Sequence, residues 1–299
     1  MFPSDLGQLM TRSEIEKTVK PIIFECLRKF GEYAHAGISP EENAAEIASQ
    51  LRPDVRRISL LISLAKSVIG DEFAGEGLEL GCGYGYLLFP MAKFNPKVHW
   101  TGIEHPGRIY FNSPAYQQAF RDFHCSLMGL DFVHEPLPFA NHYFSIVTFS
   151  ETLEHLPVER VNFVLREISR VLRPGGILIA SSPNQAGLEN RLRLLRGGSV
   201  FDLPDEMEIA HGVFKHIRLY TPVEITHMIS RLGFRVECSA MESNNSAYRG
   251  KSAKSMYRRM YRVYEGVEQR LGFLRGLADT WYFVFRKDPV EQRVRGGKS

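Results

Sequence analysis

The chain of 299 residues is poor in cysteine, lacks any long apolar run and carries no large excess of one charge. Its four cysteines, Cys26, Cys82, Cys125 and Cys238, are scattered without a C-x-x-C pair. That argues against a disulfide framework or a structural zinc site and fits a reducing compartment. The longest strongly apolar stretch, residues 58–69, is cut by Lys66 and by serines. It falls short of the ~20 residues a membrane-spanning helix needs. The first residues show no basic region followed by an apolar one, so no secretory signal is expected and the cytoplasm is the expected location. Internal repeats and low-complexity tracts are absent beyond the Gly-Gly-Lys-Ser end. With 44% hydrophobic and 24% charged residues, a disordered or collagen-like chain is excluded.

The net charge of +3 is unevenly placed. Residues 249–299 hold thirteen Lys/Arg and five Asp/Glu, a balance of +8 that leaves −5 for the rest. A mildly acidic body with a basic end suggests an anionic neighbour or a solvated basic tail. Met256, Met260, Val263, Val267, Leu271 and Leu274 recur at helical spacing, with Arg258, Arg259 and Arg262 off that stripe. Such a helix near 251–274 either packs on the protein's own core or lies on an anionic membrane.

Residues 1–70 read as helical. One amphipathic stretch starts at Ser13 and runs to about Ala36; Ser39 with Pro40, and then Asp54, read as caps of later helices. From residue 75 short apolar strands alternate with helical patterns. Strands are expected at 77–80, 98–103, 144–149, 176–180, 234–238 and 281–285, with a further one ending at Asp131-Phe132. The clearest helix is 158–172, closed by a Pro174-Gly175-Gly176 turn. Thr221, Pro222 and Glu224 form a capping-box pattern. This order predicts an α/β fold with a mostly parallel sheet covered on both faces.

The most informative segment is Glu79-Leu80-Gly81-Cys82-Gly83-Tyr84-Gly85-Tyr86. Glycines at alternate positions after a strand let the backbone turn sharply and let a ligand approach closely. The sixth position of a dinucleotide fingerprint would be glycine, and here it is Tyr86. Glu79 would repel a pyrophosphate but suit an ammonium group. Glu104, at the end of the next strand, suits the two hydroxyls of a ribose, and Asp131 an adenine amino group. The ligand with ribose, amino group and no pyrophosphate is S-adenosylmethionine.

With Leu137-Pro138-Phe139, Phe144-Ser145-Ile146-Val147, Ser150-Glu151-Thr152-Leu153-Glu154-His155-Leu156 and Arg170-Val171-Leu172-Arg173-Pro174-Gly175-Gly176, the chain resembles class I S-adenosylmethionine-dependent methyltransferases. Within them it is similar to the small-molecule type 11/type 12 group, which includes ubiquinone-biosynthesis O-methyltransferases. The resemblance implies a seven-stranded, mostly parallel Rossmann-like sheet with the last strand antiparallel, plus an added N-terminal helical region. The chain is expected to divide into an N-terminal helical lid or dimerisation segment (1–70) and a core (71–288). The core includes a substrate-side insertion near 185–220 and the basic helix, and a basic tail follows (289–299). It implies cofactor contacts from Glu79, Gly81, Cys82, Gly83, Gly85, Glu104, His105, Asp131, Phe132 and Ser150.

An oxygen nucleophile often needs a base. His155 and His216 are the catalytic candidates, with His211 a third. Glu151, Asn184, Arg218 and Tyr220 are the candidate substrate contacts. Glu151 and Glu154 also read as caps or solvated positions of the following helix. The strand-four exit lacks the acid-Pro-Pro-aromatic pattern of amino-methylating nucleic-acid enzymes. The acid pair and amide of metal-dependent catechol enzymes are not evident, so no metal is expected. The expected activity is O-methylation of a sugar, lipid-linked, quinone or natural-product-like small molecule. The alternatives are N- or C-methylation, RNA methylation, and a cofactor-binding scaffold without activity. A peripheral membrane contact through the basic helix and a homodimer are the partner readings left open; nucleic acid is the less expected partner.

Overall fold

The computed structural model describes residues 12–34, 55–70, 72–108, 110–201, 216–242 and 277–289. Helix α1 spans Arg12–Ala34, and residues 55–68 form helix α2. Then follow β1 (Gly75–Leu80), α3 (Leu88–Phe94), β2 (Val98–Glu104), α4 (Pro114–Asp122), β3 (Ser126–Gly129) and β4 (Phe144–Ser150). A short 3-10 turn, Leu153–His155, leads into α5 (Val158–Val171) and β5 (Leu172–Pro183). The remaining elements are α6 (Leu188–Leu195), α7 (Pro222–Ser230), β6 (Phe234–Glu242) and β7 (Thr280–Lys287).

The seven strands make one sheet in the order β3-β2-β1-β4-β5-β7-β6. β7 runs antiparallel to both β5 and β6, and the other pairs are parallel. Every residue of β4 is buried, as expected for a central strand covered on both faces. Successive residues feed different layers. Ile146, Ile177, Ile179, Tyr282 and Val284 pack with α1, α2, α3 and α4. Val147, Leu178, Ala180, Phe283 and Phe285 pack with α5 and α7. Val161, Val164, Leu165 and Ile168 of α5 are buried on one face, the stripe its spacing predicts. In the N-terminal region Ile15, Val19, Ile23, Ile58, Leu61 and Ile62 share the first of these cores.

The strand order reverses between β1 and β4. Loops leaving these neighbours diverge to opposite sides of the sheet and open a crevice at its carboxyl edge. This is what places the loops after β1 and β4 around one cavity.

Three local expectations are corrected. β3 ends at Gly129, short of Asp131, because Asp131 starts a turn on its own carboxylate, which accepts from the Val133 amide at 3.2 Å. Pro174-Gly175-Gly176 does not follow the helix as a separate turn. Leu172 already pairs with Phe144, and the glycines sit in a register shift within β5, Gly175 at φ 75°. An extra length of strand is absorbed there as a bulge. Strands β5, β6 and β7 also extend beyond their sequence expectations, because they pair with one another over long registers. The Thr221–Glu224 capping box is formed in both directions. Ser39, Asp54, His211, the basic helix near 251–274 and nearly all of the basic tail lie outside the described residues. Among the described residues no helix is long and apolar enough to cross a membrane.

Candidate active site

The loop after β1 is shaped by its glycines. Gly81, at φ 70°, lies so close to Thr152 that a Cβ would stand 2.9 Å from the threonine Oγ1. Gly85, at φ 78°, presses on Phe89, where a Cβ would clash with the ring. Between them the Gly83 amide donates to Glu104 Oε2 at 2.8 Å, and the Tyr116 hydroxyl donates to the Gly83 carbonyl. The loop is thereby tied to the end of β2 and to α4.

Glu104 is buried, with its other oxygen accepting from the His105 amide at 2.8 Å and from Arg108 Nε at 3.3 Å. Next along the sheet edge, Asp131 Oδ2 pairs with His134 Nδ1 at 2.8 Å and lies 3.9 Å from His105 Nε2. Partial burial opposes ionisation of Asp131, but the hydrogen bond and charge of His134, the Val133 amide and the His105 ring together outweigh it and hold the carboxyl below its usual range.

The loop after β4 closes the other side. Glu151 adopts φ 50°, a left-handed conformation that costs a non-glycine residue energy and recurs at functional sites. Its amide donates to the Ser181 carbonyl at 3.0 Å, and its carboxylate accepts from Ser181 Oγ at 2.8 Å. Glu154 is fully buried, which corrects the expectation of a solvated or capping position. The chain turns inward through the 3-10 turn, and the Glu154 carbonyl accepts from the Ile217 and Arg218 amides at 2.7 and 3.2 Å. Glu154 Oε2 accepts from Ser182 Oγ at 2.9 Å, whereas Oε1 has no partner. Burial pushes this carboxyl well above its usual range, and the Glu151 charge adds to the effect. The same backbone contacts bring His216 beside His155, with ring centroids 5.0 Å apart.

These segments enclose a cavity of about 430 Å³, within the range of small-molecule sites. Of the candidates from sequence, Gly81, Gly83, Glu104, His105, Asp131, Phe132, Glu151 and His155 line it. The others lie off its wall. Glu79 is buried, and burial, reinforced by Glu104 and opposed by Arg57, pushes its carboxyl well up. Cys82 points toward the Tyr116 hydroxyl, at 3.7 Å. Gly85 faces Phe89. Ser150 Oγ lies 2.7 Å from Ser181 Oγ, inside the sheet. Asn184 is engaged with the Ala278 carbonyl and the Ala186 amide, holding the β5 exit in place. Arg218 pairs with Glu224 at 2.6 Å and stacks on Tyr220. Arg108, Tyr110, His134, Thr152 and Ile217 line the cavity without having been expected there. Thr152 lies within the Ser150–Leu156 segment already singled out, whereas Arg108 reaches Glu104 only through the turn after β2.

The comparisons with known proteins agree with this architecture. A family model described as a methyltransferase domain matches residues 40–239. Sterol 4-C-methyltransferase strm-1 of Caenorhabditis elegans is 26% identical over 102 residues, 34% of this chain and 29% of that protein. The tRNA N(3)-methylcytidine methyltransferase Mettl2 of Drosophila melanogaster is 23% identical over 190 residues, 62% of this chain and 55% of its own length. The chain thus spans no more than about half the length of either relative. In fold it is similar to a SAM-dependent methyltransferase from Methanosarcina mazei, with a TM-score of 0.51 at 15% identity, covering 75% of this chain and 97% of that one.

Proposed function

The chain belongs to the methyltransferase-domain family whose model matches residues 40–239, and from that premise we propose that it transfers a methyl group from S-adenosylmethionine to a hydroxyl oxygen of a small molecule. The observation that carries the reading is the pair of carboxylates, Glu104 and Asp131, on the wall of one cavity beside a glycine loop. This donor set fits the cofactor. The Glu104 carboxylate suits a ribose diol, and Asp131, held ionised, suits an exocyclic amino group. Leu130, Phe132 and Val133 offer apolar surface for a purine. Gly81 and Gly83 let the loop backbone come close to the ligand.

S-adenosylmethionine supplies, when bound, a methyl group on a sulfonium. The protein's own task is to position the acceptor, an effect worth ~7–11 kcal/mol in favourable cases. The names of the two relatives specify a sterol carbon and a cytidine nitrogen, so C- and N-methylation are the alternatives for this chain. Oxygen is favoured by the carboxylate and imidazoles gathered at Glu154, His155 and His216, since a hydroxyl acceptor must lose its proton. Sugars, lipid-linked compounds, quinones and related natural products are the proposed acceptor classes.

Calorimetric titration with S-adenosylmethionine, with NAD in a parallel cell, tests the cofactor. Binding of the former alone is expected, and binding of neither overturns the reading. Methyl transfer to hydroxyl, amine and carbon acceptors, followed by mass spectrometry, tests the atom. Transfer restricted to amines or carbon overturns the oxygen assignment. A steep salt dependence of RNA binding would turn the acceptor search toward RNA.

A further inference from the structure

We propose that Glu154, His155 and His216 form a site for one divalent first-row transition-metal ion beside the cofactor cavity, with open coordination positions for an oxygen of the acceptor. One ligand atom from each residue lies within 4.8 Å of the others. Ligands on such an ion sit ~2.1 Å from it, hence roughly 3–4 Å apart. Binding therefore requires the two half-buried imidazoles to move inward around the ion. His155 lies on the cavity wall.

The second observation is the state of Glu154. Its side chain is fully buried, one oxygen is held by Ser182, and the other is aimed at no donor. A buried carboxylate with an unsatisfied oxygen is costly. A bound dication would satisfy the oxygen and offset the cost of its burial. The scaffold is prepared for it, because the Glu154 carbonyl binds the Ile217 and Arg218 amides and so fixes the His216 segment against the His155 turn. The Ser182 bond to Glu154 is the kind of outer contact that orients a ligating carboxylate.

Two imidazoles and one carboxylate suit zinc, cobalt, manganese or iron better than magnesium or calcium, which take oxygen donors. The site itself does not depend on the methyl-transfer reading; its chemical role does. A hydroxyl bound to the cation has a lowered pKa. Its O–H bond breaks toward water, the electron pair stays on oxygen, and the cation holds the resulting alkoxide.

The test uses the untagged full chain, stripped with a chelator and titrated with cobalt chloride. Visible absorption and calorimetry follow binding, zinc chloride competes, and magnesium chloride serves as the comparison. One cobalt per chain is expected, displaced by zinc and not by magnesium. Glu154→Gln and His216→Ala are each expected to weaken cobalt binding at least tenfold. His216→Ala and His155→Ala carry the result should Glu154→Gln fail to fold by circular dichroism. Absence of saturable cobalt binding, or binding unchanged in both histidine variants, overturns the site. S-adenosylmethionine is titrated separately into the same preparations. Cobalt bound without cofactor binding leaves the site standing and removes the methyl-transfer reading; cofactor bound without cobalt does the reverse.

Discussion

The Gly83 amide donates to the Glu104 carboxylate over 2.8 Å, joining the glycine loop after β1 to the end of β2. One carboxylate therefore fixes the loop and also lines the cavity, where the proposed function puts the ribose diol. Hydrogen bonds to a charged group are worth about 1.5–3 kcal/mol each. Glu104→Ala is accordingly expected to weaken S-adenosylmethionine binding by about 10–100-fold in calorimetry. Unchanged affinity would remove Glu104 from the cofactor site.

Gly85 has a different task from Gly83. It carries a positive φ and has the Phe89 ring where a Cβ would be, and Phe89 in turn stacks on Phe123 at 4.5 Å. Gly85→Ala must strain the backbone and push an aromatic ring out of a packed core. The expected loss is about 2–4 kcal/mol, read as a lower midpoint in chemical denaturation. The comparison is Gly83→Ala, which shares the backbone strain of a positive φ (49°) but whose Cβ meets nothing within 4 Å. That variant should lose less stability and more cofactor affinity.

The sheet was legible because its central strands are short, largely apolar runs such as Ile146-Val147 and Ile177-Leu178-Ile179-Ala180, bounded by glycine or polar turns, a pattern that suits burial on both faces. The same holds for the glycine loop, whose alternate glycines have few other uses. Other features depend on tertiary contacts that local sequence does not encode. Asn184 stands at the expected mouth of the sheet, but its amide is consumed by Ala278, far along the chain. Glu154 reads as a helix-start acid, and only the inward turn of the chain buries it. His155 and His216 are brought together by main-chain bonds from Glu154 to Ile217 and Arg218. Spacing along the sequence carries no trace of that pairing.

His155 is the imidazole that lines the cavity. His155→Ala should leave S-adenosylmethionine affinity unchanged, since Glu104 and Asp131 lie on other loops. Turnover at saturating acceptor should fall by about 100-fold or more, the scale of lost proton handling. A rise in KM with unaltered kcat would instead assign His155 to acceptor binding alone.

Glu79 gives a prediction in pH. The side chain is buried and its Oε2 has no partner. Burial, with Glu104 adding and Arg57 opposing, raises its pKa well above the usual range. The folded state then binds this proton more tightly than the unfolded state does. Any stability it contributes is full below the unfolded carboxyl pKa, about 4.3, and declines as the pH rises toward the folded value. Glu79→Gln removes the titration while keeping the shape. The variant should therefore lose less stability than the parent between pH 5 and pH 8, measured by urea denaturation of chelator-treated protein. A steeper loss in the variant would mean that Glu79 is ionised in the fold and stabilised by a cationic partner, with its pKa shifted in the opposite direction.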